Sequence, residues 1–328
     1  MIPENKKEAV KQALYSTFGV AWFDNVTMLT QGLSSALIFK ICVSGKPYLL
    51  RIITREDAMA DPVHWFGCMQ SAAEAGLAPR VWYLNAYDRI AITDFIDVKP
   101  FPVDYARAML PGLLKRLHNL PLFPIRVNYI DVVSGFVEKF KAAGIMPASI
   151  TDGIFEAYSR VASAYPRDSD NLVSCHNDLK PDNILFDGER IWLVDWEAAF
   201  LNDRYMDLAI IANFVISNED EEAAYLKAYF VPEVTEYHLA RFFLMRQVLH
   251  VSYFTFFMLL AAGAGCKVDL DFPLPDFKEL HTRMWNGEIN LADNDARQQY
   301  ALVHFKQLCC NLNSKRFEQS LTIIAQSI

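Results

Sequence analysis

Basic residues are in short supply: 31 Lys and Arg stand against 39 Asp and Glu, a net charge of −8 over 328 residues. No global positive field is available for nucleic acid or an anionic membrane surface, although an acidic chain would suit a cationic substrate. Glycine and proline are sparse at 13 and 15 residues, which excludes collagenous and low-complexity classes. The six cysteines, Cys42, Cys68, Cys175, Cys266, Cys309 and Cys310, contain no C-x-x-C pair and no Cys/His cluster with zinc-site spacing. They read as free thiols in a reducing compartment. The N-terminal residues carry charge without the apolar centre of a secretory signal, so the expected location is cytoplasmic. The longest apolar run, residues 251–265, falls short of the roughly 20 residues a spanning helix needs and reads as a buried helix, so no membrane span is expected.

Apolar residues are abundant at 52%, with 13% aromatics, so the chain can build a sizeable core, and its length suits two lobes or one large domain. Residues 4–18 have the helical spacing of a short amphipathic helix. From residue 26 to 53 the texture is that of a three-stranded antiparallel meander: VTMLT, a break at Gln31-Gly32, the alternation Leu37, Phe39, Ile41, Val43, a Ser44-Gly45 turn, and PYLLRII. Asp61-Pro62 has the pattern of an N-cap with proline in the first turn, and Gly76 that of a helix terminator, which predicts a helix over about 62–75. Short apolar runs at 81–83 and 90–95 complete five strands. Helical periodicity then takes over at 105–120, 132–143 and 151–164. It is interrupted by an island of short strands (LVSC, ILF, IWLVDW) at 172–196 and resumes from about 207. The change of character places the division of the chain near residue 97, with a β-rich lobe at 1–97 and a mainly helical one at 98–328.

The densest polar cluster is Cys175-His176-Asn177-Asp178-Leu179-Lys180-Pro181-Asp182-Asn183, followed by ILF and then Leu193-Val194-Asp195-Trp196-Glu197. Polar residues on a loop between apolar strands are held rigidly at one edge, a common setting for chemistry. Asp178 and Asn183 share that loop and Asp195 ends the next hairpin, so two carboxylates and an amide oxygen can converge. Hard oxygen donors of this kind suit Mg²⁺. Chance placement of Asp and Asn in turns is the competing explanation.

HNDLKPDN followed by VDWE resembles the kinase-type H-x-D-x-x-x-x-N loop and its metal-binding aspartate. With DWE in place of DFG and NDRYMDLA following, the chain resembles the aminoglycoside phosphotransferase and choline kinase family. LLKRLHNLP and EAGLAPRVWYLN extend the resemblance, which covers most of residues 26–215. It implies a two-lobed, protein kinase-like α+β fold that uses ATP and Mg²⁺. It also implies that Asp178 orients or accepts the proton of an acceptor hydroxyl, that His176 braces the loop, and that Lys180 offers a cation near the transferring group. Asn183 and Asp195 would be the metal ligands. Arg51 would take the place of the kinase phosphate-binding lysine, Gly32, Ser34 and Ser35 would lie over the phosphates, and Asp94, Phe95 and Ile96 would form the adenine hinge. Asp207 reads as a helix cap that braces the catalytic loop.

The chain departs from the family where a glutamate on the inserted helix should pair with the strand cation. Counting back from Gly76 lands on His64 and Trp65, neither of them acidic, which leaves the partner of Arg51 open. The implied activity is phosphorylation of a hydroxyl on a small molecule, first a choline- or ethanolamine-like amino alcohol, with aminoglycosides, thiamine and other metabolites as alternatives. A nucleotide-binding regulator with weak turnover is a further alternative. Protein phosphorylation is disfavoured, because only eleven residues separate Asp195 from Asp207 and no A-P-E segment follows. His250, Tyr253, Phe254 and Phe257 form an aromatic stripe at helical spacing, a core pattern first and a cage for a quaternary ammonium second. The acidic run at 219–222 reads as a solvated helix start.

Overall fold

In chain order the polypeptide forms α1 (Lys7–Phe18), β1 (Asn25–Leu29), β2 (Ala36–Val43), β3 (Lys46–Ile53), α2 (Pro62–Glu74), β4 (Val81–Asn85) and β5 (Ile90–Asp94). Helices α3 (Val103–His118), α4 (Tyr129–Ala143) and α5 (Ala148–Ala164) follow. Then come β6 (Leu172–Cys175), the hairpin of β7 (Ile184–Phe186) and β8 (Ile191–Leu193), and β9 (Phe200–Asp203). The chain ends in α6 (Arg204–Val215), α7 (Glu219–Tyr229), α8 (Glu236–Gly263), α9 (Phe277–Trp285), α10 (Asn294–Leu312) and α11 (Lys315–Gln326). This computed structural model describes residues 2–29, 36–56, 60–167, 171–266, 268–270 and 272–327. Met1–Phe101 together with Asp182–Ala199 make one compact unit, and Pro102–Pro181 with Phe200–Ile328 make a second.

The first unit is built on an antiparallel sheet in the order β1-β2-β3-β5-β4. The alternation read in β2 is the buried face: Phe39, Ile41 and Val43 point into a core with Leu50, Ile52, Ile90 and Ile92, which α1 covers through Val10, Ala13 and Leu14. Ser44 and Gly45 both take positive φ, 51° and 75°, the two left-handed residues that a tight β2–β3 hairpin demands. α2 starts where its cap predicts: the Asp61 carboxylate accepts the His64 N–H at 3.0 Å, worth about 1 kcal/mol, and Gly76 at φ 67° ends the run.

Residues 182–199 were expected in the helical lobe, but their hydrogen bonds explain why they associate with the sheet unit. Leu193 N–H donates to the Leu77 carbonyl at 2.8 Å and Lys99 N–H to the Phe186 carbonyl at 2.7 Å, and the Phe101 and Phe186 rings stack at 4.7 Å. β8 also stops at Leu193, short of the IWLVDW run, because Asp195 sits at φ 67° and Trp196–Ala198 turns into a short 3-10 helix.

In the second unit α3, α4 and α5 each begin two or three residues before the periodic signal does. The run at 251–265 is only the C-terminal half of α8, a 28-residue helix opened by a Thr235/His238 capping box. Among the described residues α8 alone is long and apolar enough to cross a membrane, yet 72% of its most apolar window is buried within the chain. It packs on α4, α6, α10 and α11. The acidic run at the start of α7 is not wholly solvated, since Glu222 is 5% exposed and pairs with Arg246 of α8, at 3.4 Å, and with Arg316 of α11.

Between α8, α9 and α10 lie three buried imidazoles, His250, His281 and His304, ringed by Phe277 and Tyr300. The Nδ1 atoms of His250 and His304 are 2.8 Å apart, so one ring donates and the other accepts, and both are neutral. Burial lowers all three below the ordinary imidazole range, His281 to about 4. Above about pH 6.5 these rings are neutral in both folded and unfolded chains. Below it the unfolded chain takes up protons that the folded core refuses, so stability falls as pH drops toward 4. His281 alone should cost about 3 kcal/mol by pH 4. Urea titrations should show the midpoint falling between pH 6.5 and 4, with a shallower fall in His281→Leu; a midpoint flat over that range would contradict the neutral core.

Candidate active site

In the first unit the β7–β8 hairpin sets the two residues expected to hold metal. The Asn183 carbonyl accepts the Val194 N–H at 3.1 Å, which puts Asn183 and Asp195 at the same end of the ladder. Asn183 is 4% exposed. Arg51 lies on β3, opposite Ile38 on one side and Ala91 on the other. Its Nη2 donates to Asp195 Oδ1 at 2.8 Å and also to Glu197 Oε1. Burial opposes the guanidinium charge, but the two carboxylates outweigh it and hold the Arg51 pKa above its ordinary value.

The open question about Arg51 is thereby resolved. The expected family position on α2 carries His64, whose Nε2 lies 2.6 Å from the Ala199 carbonyl and therefore donates to it. α2 thus grips the segment after β8 through a hydrogen bond to its backbone, and the segment itself returns the carboxylate Glu197 to Arg51. Glu197 was not singled out from the sequence, because 146 residues separate it from its partner and nothing local marks the pairing.

Asp94 ends β5. Its N–H donates to the Arg80 carbonyl at 2.9 Å, and its Oδ1 accepts the Trp82 indole at 2.7 Å. Phe95 and Ile96 follow outside the strand, with the Lys40 ammonium 4.2 Å from the centre of the Phe95 ring. Gly32, Ser34 and Ser35 lie outside the described residues.

In the second unit β6 pairs with β9, which brings the loop after Cys175 beside the start of α6. Asp207, fully buried, accepts two consecutive backbone donors: His176 N–H on Oδ2 at 2.9 Å and Asn177 N–H on Oδ1 at 2.7 Å. His118 Nε2 adds a third contact to Oδ2 at 3.2 Å, while its Nδ1 meets the Tyr229 hydroxyl at 2.6 Å. Asp207 braces the loop as expected, but the cap of α6 is Asp203, whose carboxylate accepts the Tyr205 N–H at 2.9 Å. His118, Cys175 and Asp207 form a compact buried group with metal-ligand chemistry, although the carboxylate is already engaged by the loop amides. His176 is fully buried. Asp178 and Lys180 remain partly exposed, with Lys180 Nζ 2.9 Å from Asp178 Oδ2.

Three tyrosines share the electrostatic neighbourhood of Asp178: Tyr129 from the start of α4, Tyr253 from α8 and Tyr300 from α10. Burial chiefly raises each phenol, and the Asp178 carboxylate raises each further. Tyr129 is hydrogen-bonded to Ser252 at 2.6 Å. The Tyr253 ring lies 5.5 Å from Tyr300, which packs edge-on against Phe257 at 5.0 Å. Only Tyr253 and Phe257 were visible as candidates in the sequence, through their stripe on one helix. Tyr129 and Tyr300 come from other helices, and no spacing rule links them.

The architecture, a β-sheet unit and a helical unit, is α+β of the protein kinase-like kind. Residues 34–243 match the phosphotransferase enzyme family designated APH, and the chain belongs to that family. It is a phosphotransferase enzyme. Over its whole length it superimposes on a choline/ethanolamine kinase family protein from Mesorhizobium loti, with TM-score 0.70, 19% identity and coverage of 98% of this chain and 99% of the other. The choline kinase LicA of Streptococcus pneumoniae gives TM-score 0.60 at 16% identity, covering 88% of this chain and 99% of that one. A spectinomycin phosphotransferase solved with ADP and spectinomycin gives 0.56 at 13%, covering 91% and 98%. In sequence, Protein LicA of Haemophilus influenzae is 32% identical over 83 residues, 25% of this chain and 31% of LicA, so the match spans about a third of that relative.

The bracing carboxylate makes a direct prediction. Asp207→Ala strands two backbone donors and His118, and should cost about 2–4 kcal/mol in urea unfolding, with Asp207→Asn in between because it keeps one acceptor. A loss below about 1 kcal/mol would show that the loop holds itself.

Proposed function

We propose that the enzyme transfers the γ-phosphoryl group of ATP to the hydroxyl of a choline- or ethanolamine-like amino alcohol. The observation that carries the acceptor is the aromatic cluster of Tyr253, Phe257 and Tyr300, whose two phenols the Asp178 carboxylate raises further after burial. A positive headgroup is attracted to aromatic faces, by about 0.5–2 kcal/mol per ring, and a nearby carboxylate adds to that attraction. Asp178, partly exposed, would accept the proton of the acceptor hydroxyl as its oxygen forms the new bond to phosphorus and ADP departs. His176 supports the loop from within the core. Lys180, within reach of Asp178, would supply positive charge near the transferring group.

Asn183 and Asp195 fit a Mg²⁺ ion by the chemistry of their donors, an amide oxygen and a carboxylate at one end of a hairpin. When bound, the ion neutralises phosphate charge. Arg51 holds Asp195 in place and supplies a fixed cation for phosphate. Asp94, Phe95 and Ile96 would offer backbone groups to adenine, and Gly32, Ser34 and Ser35 would cover the phosphates. Nucleotide use is supported by the ADP complex of the spectinomycin phosphotransferase and by a LicA structure with AMP. The regulator alternative loses its motive, because Arg51 has carboxylate partners after all. The six free cysteines suit a cytoplasmic enzyme.

ATP consumption with Mg²⁺ across choline, ethanolamine, aminoglycosides and thiamine tests this reading. Choline or ethanolamine should give the highest kcat/KM, and Asp178→Asn should lower kcat by at least about 10³-fold with ATP binding retained. Preference for an aminoglycoside or thiamine would overturn the acceptor assignment. Turnover unaffected by Asp178→Asn would overturn the site.

A further inference from the structure

The residue before Asp178 is held in a conformation that few side chains adopt. Asn177 has φ 62°, in the left-handed region where glycine is free of strain and Asn is among the better-tolerated alternatives. Glycine would satisfy the backbone alone, so an asparagine side chain here invites a separate reason. Its Nδ2 donates to the Cys175 carbonyl at 3.3 Å and its Oδ1 accepts from Asn202 Nδ2 at 2.7 Å. Asn202, on β9 and 2% exposed, has its own amide oriented by the backbone, because its Oδ1 accepts the Asp203 N–H at 2.8 Å.

These bonds form one directed chain, from the Asp203 amide through Asn202 and Asn177 to the Cys175 carbonyl. The backbone fixes the polarity at both ends, so neither amide can flip without setting oxygen against oxygen. Asp203 is itself anchored to α8 by Arg241, Nη2 to Oδ2 at 2.6 Å, with Arg241 1% exposed. The turn that presents Asp178 is therefore gripped twice: Asp207 takes its backbone donors, and Asn202 takes its side chain.

We propose that Asn202 is a positioning residue for the Asp178 carboxylate, acting through the side chain of Asn177. This rests on the reading of Asp178 as the group that accepts the hydroxyl proton. A misplacement of about 1 Å at such a group costs on the order of 100-fold in rate while leaving ground-state binding nearly intact.

The test uses the full chain with Mg·ATP and choline, comparing Asn202→Ala, Asn202→Asp, Asn177→Gly and the double variant Asn177→Gly/Asn202→Ala. Asn202→Ala should lower kcat about 10- to 100-fold with both KM values within about threefold. Asn202→Asp, isosteric but without a donor for Asn177 Oδ1, should do no better. In the Asn177→Gly background the Asn202→Ala change should add less than about twofold, since its partner is gone. A kcat for Asn202→Ala within twofold of wild type, or an equal loss in the glycine background, would overturn the proposal; the latter would mark Asn202 as a general packing residue. If the wild-type protein phosphorylates no acceptor, the proposed function fails, and amide hydrogen exchange then decides the clamp separately. Faster exchange at residues 176–179 in Asn202→Ala, with α8 unchanged, supports it, and unchanged exchange at 176–179 refutes it.

Discussion

One fully buried carboxylate sets the geometry of the helical unit's chemistry. Asp207 has no access to water, and its two oxygens are met instead by two successive backbone N–H groups and a histidine. Breaking a hydrogen bond in a dry site leaves a polar group that nothing else can satisfy. The β6–β9 pairing delivers the loop to this carboxylate on α6, α3 reaches it through His118, and α7 holds the other nitrogen of that ring through Tyr229. The segment presenting Asp178 is thus tied to three helices by groups whose separation would be costly.

The sheet unit answers a different electrostatic problem, that of holding a largely buried guanidinium inside a protein with a net charge of −8. Arg51 has two carboxylates at its guanidinium, which compensate it and also fix Asp195 at the end of the hairpin beside Asn183. The acidity of the whole chain matters little here, since the local arrangement decides what sign of charge a ligand meets. With the carboxylate supplied by the DWE segment in place of α2, the Arg51 side chain joins Asp195 and Glu197 at a single guanidinium.

Much of this was legible in the sequence wherever the information is local. The alternation of β2, the Asp61 cap, the Ser44-Gly45 turn and the HNDLKPDN–VDWE spacing each depend on residues within a few positions of one another, and local sterics dictate their outcome. What escaped depends on contacts across the chain. Glu197 meets Arg51 across the sheet unit, and Glu222 looks like one acidic residue in a solvated run until α8 and α11 close over it. Tyr129 and Tyr300 join Tyr253 only once three separate helices have packed. Asp207 illustrates both cases, since its bracing role followed from the family pattern while the helix cap fell to Asp203, four residues earlier. The assignment of 182–199 to the sheet unit likewise rests on backbone hydrogen bonds to Leu77 and Lys99, which no periodicity announces.

The central claim is that phosphorus moves from ATP to the oxygen of a small cationic alcohol. Phosphorus-31 NMR of the protein with Mg·ATP and choline observes that movement directly. The account predicts a new phosphomonoester resonance that grows in step with ADP and requires both protein and choline. Conversion of ATP to ADP and inorganic phosphate alone, or an unchanged spectrum with choline and ethanolamine alike, would contradict it.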